Sequence, residues 1–127
     1  LTDTDLLDNS NYDDVGGIVN SGDLLFEGGD MSRNVSAIKG GALSNAGKAT
    51  LRNAVLEGNE SDGGGGAIYN RHHLILENVV ITGNDAYGPG GGILSEEWDA
   101  ENDARIEISG AVTITGNNAF NEGVGTG

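Results

Sequence analysis

The sequence contains no cysteine, which excludes a disulfide framework and a thiolate metal site. It has only six aromatic residues among 127, so a core built of large side chains is not expected. No apolar run reaches the ~18 residues that a membrane-spanning helix needs. Basic residues are also scarce, because six Lys and Arg stand against 20 Asp and Glu, for a net charge of −14. The missing apolar run argues against insertion into a membrane, and this charge argues against nucleic acid and anionic lipid as partners.

Glycine is abundant, with 23 residues, and it follows a long repeat rather than the every-third spacing of collagen. Four copies of a glycine motif follow one another at a constant step of 25, starting at Gly16, Gly41, Gly66 and Gly91. An asparagine column keeps the same step and resumes after one longer gap, between Asn84 and Asn117. Its members are Asn9, Asn34, Asn59, Asn84 and Asn117.

Apolar residues stay in register with this repeat. One column, three residues before the asparagines, contains Leu6, Met31, Leu56, Ile81 and Ile114. Each unit has about three short segments of alternating apolar and polar residues, separated by Gly, Asn, Asp and Ser, which is the pattern of short strands. A unit of this kind cannot bury its own apolar face, so the units must stack on one another.

Three short strands in about 25 residues suit one coil of a parallel β-helix, in which successive coils rise by ~4.8 Å. We therefore predict an all-β solenoid of about five coils of 25 residues, with residues 1–127 as a single domain. The 8 extra residues fall mostly within residues 96–103, which we interpret as an acidic loop inserted into one coil.

The asparagine column has a structural and a functional interpretation. Stacked amides at an inward corner can hydrogen-bond along the stack and to backbone groups that the bend leaves unpaired. Asn34 and Asn59 also begin formal N-glycosylation sequons, Asn-Val-Ser and Asn-Glu-Ser. We favour the structural ladder, because the sequons fall where the repeat already requires asparagine.

Residues 65–70 (GGAIYN) and 74–84 (LILENVVITGN) resemble the repeat of right-handed parallel β-helix proteins. These include the polymorphic outer-membrane autotransporter repeats and adhesin-like repeat proteins. Residues 90–94 and 114–118 are further copies, so the resemblance covers nearly the whole chain. It implies a right-handed β-helix exported to the cell surface or secreted. The same scaffold carries adhesins, surface-layer components, tail spikes and polysaccharide lyases, so the activity stays open.

The acidic loop is the most individual feature of the sequence. Carboxylates are ligands that Ca²⁺ prefers, and a tryptophan offers a face on which a sugar can stack. The alternative is a solvated insertion that tucks its tryptophan against the solenoid. The candidate ligand residues are Glu96, Glu97, Trp98, Asp99, Glu101 and Asp103, and the weak candidates for metal ligands among them are Glu96, Glu97, Asp99 and Asp103. We expect no other cofactor.

Catalysis by a pair of carboxylates is the competing hypothesis. Candidate pairs are Asp5 with Asp30, one repeat apart, and Asp13 with Asp14 at a corner. No basic residue shares the column of Asp5, so we predict a solvated surface and no catalytic residue. The corner formed by residues 71–73 (Arg-His-His) lacks a third metal ligand, so we interpret it as an exposed polar corner.

The two ends of the chain bear no recognisable cap, since both lie within the repeat. Either the chain is a piece of a longer protein, or copies of it continue one another's β-ladder end to end. We therefore expect an extracellular structural or adhesive module whose partners are copies of itself and surface glycans. The alternative is a carbohydrate-binding or polysaccharide-degrading β-helix protein.

Overall fold

The computed structural model describes residues 1–97 and 103–120. Within these residues the protein consists of short parallel strands, with no helix and therefore no helix that could cross a membrane. The strands are β1 (Leu6–Leu7), β2 (Ser10–Asn11), β3 (Ile18–Asn20), β4 (Asp23–Ser32), β5 (Val35–Ser36), β6 (Leu43–Asn45), β7 (Lys48–Glu57), β8 (Glu60–Ser61), β9 (Ile68–Asn70), β10 (His73–Glu77), β11 (Val80–Thr82), β12 (Asp85–Ala86), β13 (Ile93–Ser95), β14 (Arg105–Ser109), β15 (Thr113–Thr115) and β16 (Asn118–Ala119).

Three parallel sheets form the walls of a β-solenoid, as the repeat predicts. Sheet 1 has the order β1, β4, β7, β10, β14, with β11 and β15 continuing β10 and β14 past a bend. Sheet 2 has the order β2, β5, β8, β12, β16, and sheet 3 has the order β3, β6, β9, β13. Four coils contribute to all three sheets, and a fifth contributes to sheets 1 and 2 among the described residues.

The register follows the constant step of the sequence. Leu6 pairs with Met31, and Met31 pairs with Leu56, so the apolar column of the sequence is a column in space. The step across the insertion is longer than 25 residues. The pairing of Val80 with Thr113 spans one residue more than the pairing of His73 with Arg105. Seven of the 8 extra residues therefore precede β14, and the eighth lies between β14 and β15.

The core is a narrow stack of aliphatic side chains with one phenylalanine. Inward residues of neighbouring coils lie over one another, and large side chains share the interior with alanines. The fully buried members include Phe26, Leu51 and Leu76 in one column, Met31, Leu56 and Ile81 in a second, and Leu43 and Ile68 in a third. Because the interior is so narrow, this core needs few aromatic residues.

The chain bends out of sheet 1 through residues in the left-handed backbone conformation. One column of five such residues has φ between 56° and 66° and precedes the asparagine column. Its members are Asp8, Arg33, Gly58, Gly83 and Gly116. A second left-handed column bends sheet 1 itself, and its members are Asp3, Gly28, Asn53, Asn78 and Gly110. Gly, Asn and Asp suit this conformation best, and Arg33 is the exception.

The glycine motif is required for a different reason, the close approach of neighbouring coils. A Cβ at Gly66 would overlap the carbonyl oxygen of Gly91 and lie 2.6 Å from the carbonyl oxygen of Asp85. Gly83, in contrast, has φ of +63° but nothing within 4 Å of the Cβ position. Gly66 is therefore required by close packing of the coils, whereas Gly83 is favoured by its backbone conformation alone.

We predict that Gly66→Ala lowers the free energy of unfolding by roughly 3 kcal/mol or prevents folding, since backbone atoms must move apart. Gly83→Ala is the matched control and should cost only about 1 kcal/mol, the strain of a left-handed alanine. Urea denaturation of both variants followed by circular dichroism measures the difference. Equal losses in the two variants would contradict the packing explanation.

Candidate functional site

The asparagine column forms a continuous hydrogen-bonded ladder between sheets 1 and 2. Asn34 donates through Nδ2 to Oδ1 of Asn59 at 3.0 Å, and Asn59 donates in the same way to Asn84 at 2.9 Å. Each of these Oδ1 atoms also accepts the backbone N–H of the preceding asparagine. Asn9 and Asn117 continue the ladder at its two ends.

The ladder amides also satisfy the backbone of sheet 1. The second N–H of Asn59 donates to the carbonyl oxygen of Met31 at 2.9 Å, and that of Asn84 donates to Leu56 at 3.0 Å. Asn34 and Asn59 are at most 1% exposed. A glycan on either side chain would disrupt these hydrogen bonds. In this conformation the two sequon asparagines therefore stabilise the fold.

A second ladder, absent from the sequence prediction, lies at the end of sheet 3. Asn20 donates to Oδ1 of Asn45 at 2.8 Å, Asn45 donates to Asn70 at 2.9 Å, and Asn70 donates to Oγ of Ser95 at 3.1 Å. The signal was present in the sequence, because the glycine motif ends in Asn in three copies and Ser in the fourth. These two ladders hold two corners of each of the four coils that contribute to all three sheets.

The acidic loop lies partly outside the described residues, because Trp98, Asp99 and Glu101 fall within residues 98–102. Of the other predicted ligand residues, Glu97 and Asp103 are exposed and Glu96 is partly buried. Glu96 directs its carboxylate onto the outer face of sheet 3. The described part of the chain contains no group of three or more His, Asp or Glu residues that could hold a metal ion.

A groove on the outer face of sheet 3 collects residues from two successive coils. We call it the Tyr69 groove. It has a volume of about 380 Å³, and its lining residues are Ile38, Lys39, Ser44, Gly63, Tyr69 and Arg71. The ammonium of Lys39 lies 4.9 Å from the centre of the Tyr69 ring, and the guanidinium carbon of Arg71 lies 5.7 Å from it. Both distances are within the range of cation–π attraction.

Glu96, which directly follows β13, binds two of these groove residues through its carboxylate. Its Oε2 atom accepts hydrogen bonds from Nζ of Lys39 at 3.2 Å and from the hydroxyl of Tyr69 at 3.0 Å. The Lys39 ammonium, with help from the Tyr69 hydroxyl, holds the pKa of Glu96 below its usual value. Burial and the Glu96 hydrogen bond raise the pKa of Tyr69. This contact therefore stabilises the fold above the unfolded pKa of a glutamate and is lost as the pH falls through the lower folded value.

The outer face of sheet 1 carries a second cluster of charges, most of which are paired with one another. Nε of Arg52 lies 3.1 Å from Glu77. Nε2 of His73 lies 2.8 Å from Glu107, and Nδ1 of the same ring lies 3.1 Å from a guanidinium nitrogen of Arg105. The Glu107 carboxyl has a lowered pKa, chiefly because of the His73 hydrogen bond. These contacts tie neighbouring coils together across the sheet.

Two of the four carboxylates considered for catalysis, those of Asp5 and Asp14, accept hydrogen bonds from the backbone. Oδ1 of Asp5 accepts the N–H of Asp30 at 3.0 Å. Oδ1 of Asp14 accepts the N–H of Val15 at 2.8 Å, while the N–H groups of Asp13 and Asp14 donate to the side chain of Asn11. The Asp5 contact ties the first coil to the second, and the contacts of residues 11–15 fix a bend of the first coil.

Comparison with known proteins finds a family model that matches part of the repeat. Residues 53–71, from the end of β7 through β9, match the family model of the Chlamydia polymorphic membrane protein repeat. Neither a curated protein nor a solved structure matches the chain. The match and the parallel solenoid together fit a β-helix repeat protein of the polymorphic membrane protein or autotransporter type. That repeat suggests a surface-exposed, adhesin-like β-helix at the outer membrane or cell surface.

We predict that Asn59→Ala lowers the free energy of unfolding by about 3 kcal/mol, because the carbonyl of Met31 and the N–H groups of Asn34 lose their partner in a buried place. Asn118→Ala is the control, since Asn118 is exposed and its side chain donates to the Asp85 carboxylate in a solvent-exposed hydrogen bond. Chemical denaturation of both variants provides the measurement. A loss below ~1 kcal/mol for Asn59→Ala would show that the ladder does not hold the coil.

Proposed function

We propose that the chain is an extracellular structural or adhesive module that is secreted or held at the cell surface and that pairs end to end with copies of itself. It is an interaction scaffold without catalytic residues. Support comes from the adhesin-like type of the matched repeat and from the engagement of the Asp5 and Asp14 carboxylates by backbone N–H groups.

The observation that best supports end-to-end pairing is the exposure of apolar side chains on the last described coil. Ile108 and Ile114 continue the inward columns of Leu76 and Ile81, which are fully buried one coil earlier. Yet Ile108 is 58% exposed and Ile114 is 44% exposed. A further coil stacked on this end would bury both side chains and pair the outer edges of β14 and β15, which no other described strand pairs.

The first coil offers a matching surface. Leu1 lies in the same column as Phe26, because its carbonyl accepts the N–H of Glu27 and its amino group donates to Leu25. Leu6 heads the column of Met31. When the first coil of one copy follows the last coil of another, Ile108 meets Leu1 and Ile114 meets Leu6, so both aliphatic columns continue without a break.

Assembly of the copies depends on screening of their negative charge. A net charge of −14 on each copy opposes association at low ionic strength. Salt or divalent cations such as Ca²⁺ screen that repulsion, so we propose that assembly depends on them. In this proposal Ca²⁺ acts on the whole acidic surface. Binding of Ca²⁺ at the loop of residues 96–103 is a further proposal, which isothermal titration of the chain with Ca²⁺ tests.

The alternative function, carbohydrate binding, has its own observation in the Tyr69 groove, where an aromatic ring, two cations and a hydroxyl line a cleft open to water. The Trp98 side chain, on which the sequence analysis based this alternative, lies outside the described residues.

We predict that negative-stain electron microscopy of the purified chain with Ca²⁺ shows rods many times longer than the ~24 Å of five coils. Ile108→Glu should abolish the long rods and leave the circular dichroism spectrum unchanged, because it places a charge on the stacking surface alone. Val19→Glu is the matched control, since Val19 is 65% exposed on the outer face of β3.

Isolated particles in every cation condition would contradict self-association. Rods that persist in Ile108→Glu would show that the copies associate through another surface.

A further inference from the structure

We propose that the Tyr69 groove binds the carboxylate of an acidic sugar and that Glu96 occupies the carboxylate position in the free protein. This inference gives the adhesive function a ligand class and in that sense rests on it. It is independent of end-to-end pairing, because the groove lies on the side of the solenoid.

The first argument is the distribution of positive charge. The chain has only six Lys and Arg residues, and two of them, Lys39 and Arg71, lie against the ring of a single tyrosine. Against a net charge of −14, such convergence creates a local site that attracts an anionic group. Lysine and arginine are the side chains that bind carboxylates most strongly.

The second argument is that two lining residues of the groove, Lys39 and Tyr69, already bind a carboxylate, that of Glu96. One oxygen of Glu96 receives both the Lys39 ammonium and the Tyr69 hydroxyl, from residues 57 and 27 positions away in the sequence. The side chain of Glu96 is 42% exposed and that of Lys39 is 37% exposed. Ion pairs this open to water are weak, so the carboxylate of a ligand can replace that of Glu96.

The third argument is the shape and lining of the groove. Its volume of about 380 Å³ is at the small end of the range for ligand sites and suits a sugar unit. The exposed side chain of Ile38 supplies an apolar wall for one face of a pyranose ring, and Ser44 supplies a hydroxyl. The open side of the groove leaves the remaining sugar hydroxyls in contact with water. An alkyl carboxylate has no such hydroxyls and would gain nothing from this opening.

The experiment is a titration of the full chain with sodium D-glucuronate, followed by ¹H–¹⁵N NMR at constant ionic strength. Glucuronate should bind saturably and shift the backbone signals of Lys39, Tyr69 and Arg71. Glucose, which lacks the carboxylate, and acetate, which lacks the ring, should bind at least tenfold more weakly. Equal affinity for acetate and glucuronate would overturn the sugar assignment, and shifts without saturation would overturn the site.

Variants test the two halves of the proposal separately. Lys39→Gln should weaken glucuronate binding at least tenfold, and Lys48→Gln on the outer face of sheet 1 should leave it unchanged. Glu96→Gln should strengthen binding several-fold, because it removes the built-in competitor. Glu97→Gln is the matched control, since it makes the same change in net charge at an exposed neighbour.

Weaker binding by Glu96→Gln would overturn the competitor role of Glu96. The titration can be made on monomeric Ile108→Glu protein, so a failure of end-to-end pairing and a failure of sugar binding are separately visible.

Discussion

Stacking of equivalent residues at a constant step of 25 is the constraint on which the rest of the structure depends. Each coil is too small to bury its own apolar face, and its corners leave backbone groups without partners. Placing each residue over its equivalent solves both problems, since Leu51 covers Phe26 and Asn59 accepts from Asn34. The glycine motif allows the same stacking where the backbones approach too closely for a Cβ, as at Gly66. One spacing in the sequence thus determines core, corners and sheet register together.

The same stacking organises the outer surface, because residues far apart in sequence become neighbours one coil apart. Lys39, Tyr69 and Glu96 belong to three successive coils and meet on the face of sheet 3. Arg52 meets Glu77 in the same manner on sheet 1. A repeat protein can therefore hold its coils by invariant inward columns and vary its outward ones to form a binding surface. This division fits the adhesin-like character that the matched repeat suggests.

The sequence predicted the architecture well because every buried column repeats at a fixed distance. Register, the three strands of each coil and the absence of helix in the described residues all follow from that periodicity. The ladder through Asn45 was not predicted, because its residues directly follow the glycine motif and share its period. The Tyr69 groove was missed because Lys39 and Glu96 occur in single coils, and a non-repeating contact leaves no periodic signal. The eighth inserted residue was hidden for the same reason, since only strand pairing shows that it lies after β14.

The most direct measurement is a nuclear Overhauser spectrum of the ¹⁵N-labelled chain that correlates amide protons of neighbouring coils. Stacking at a step of 25 predicts cross-peaks from the backbone N–H of Asn34 to the side-chain amide of Asn59, and from Asn59 to that of Asn84. The same step predicts cross-peaks between the side-chain amides of Asn45 and Asn70. Cross-peaks at a different residue separation, or folded protein without contacts between these asparagines, would contradict the stacked solenoid and the groove that depends on it.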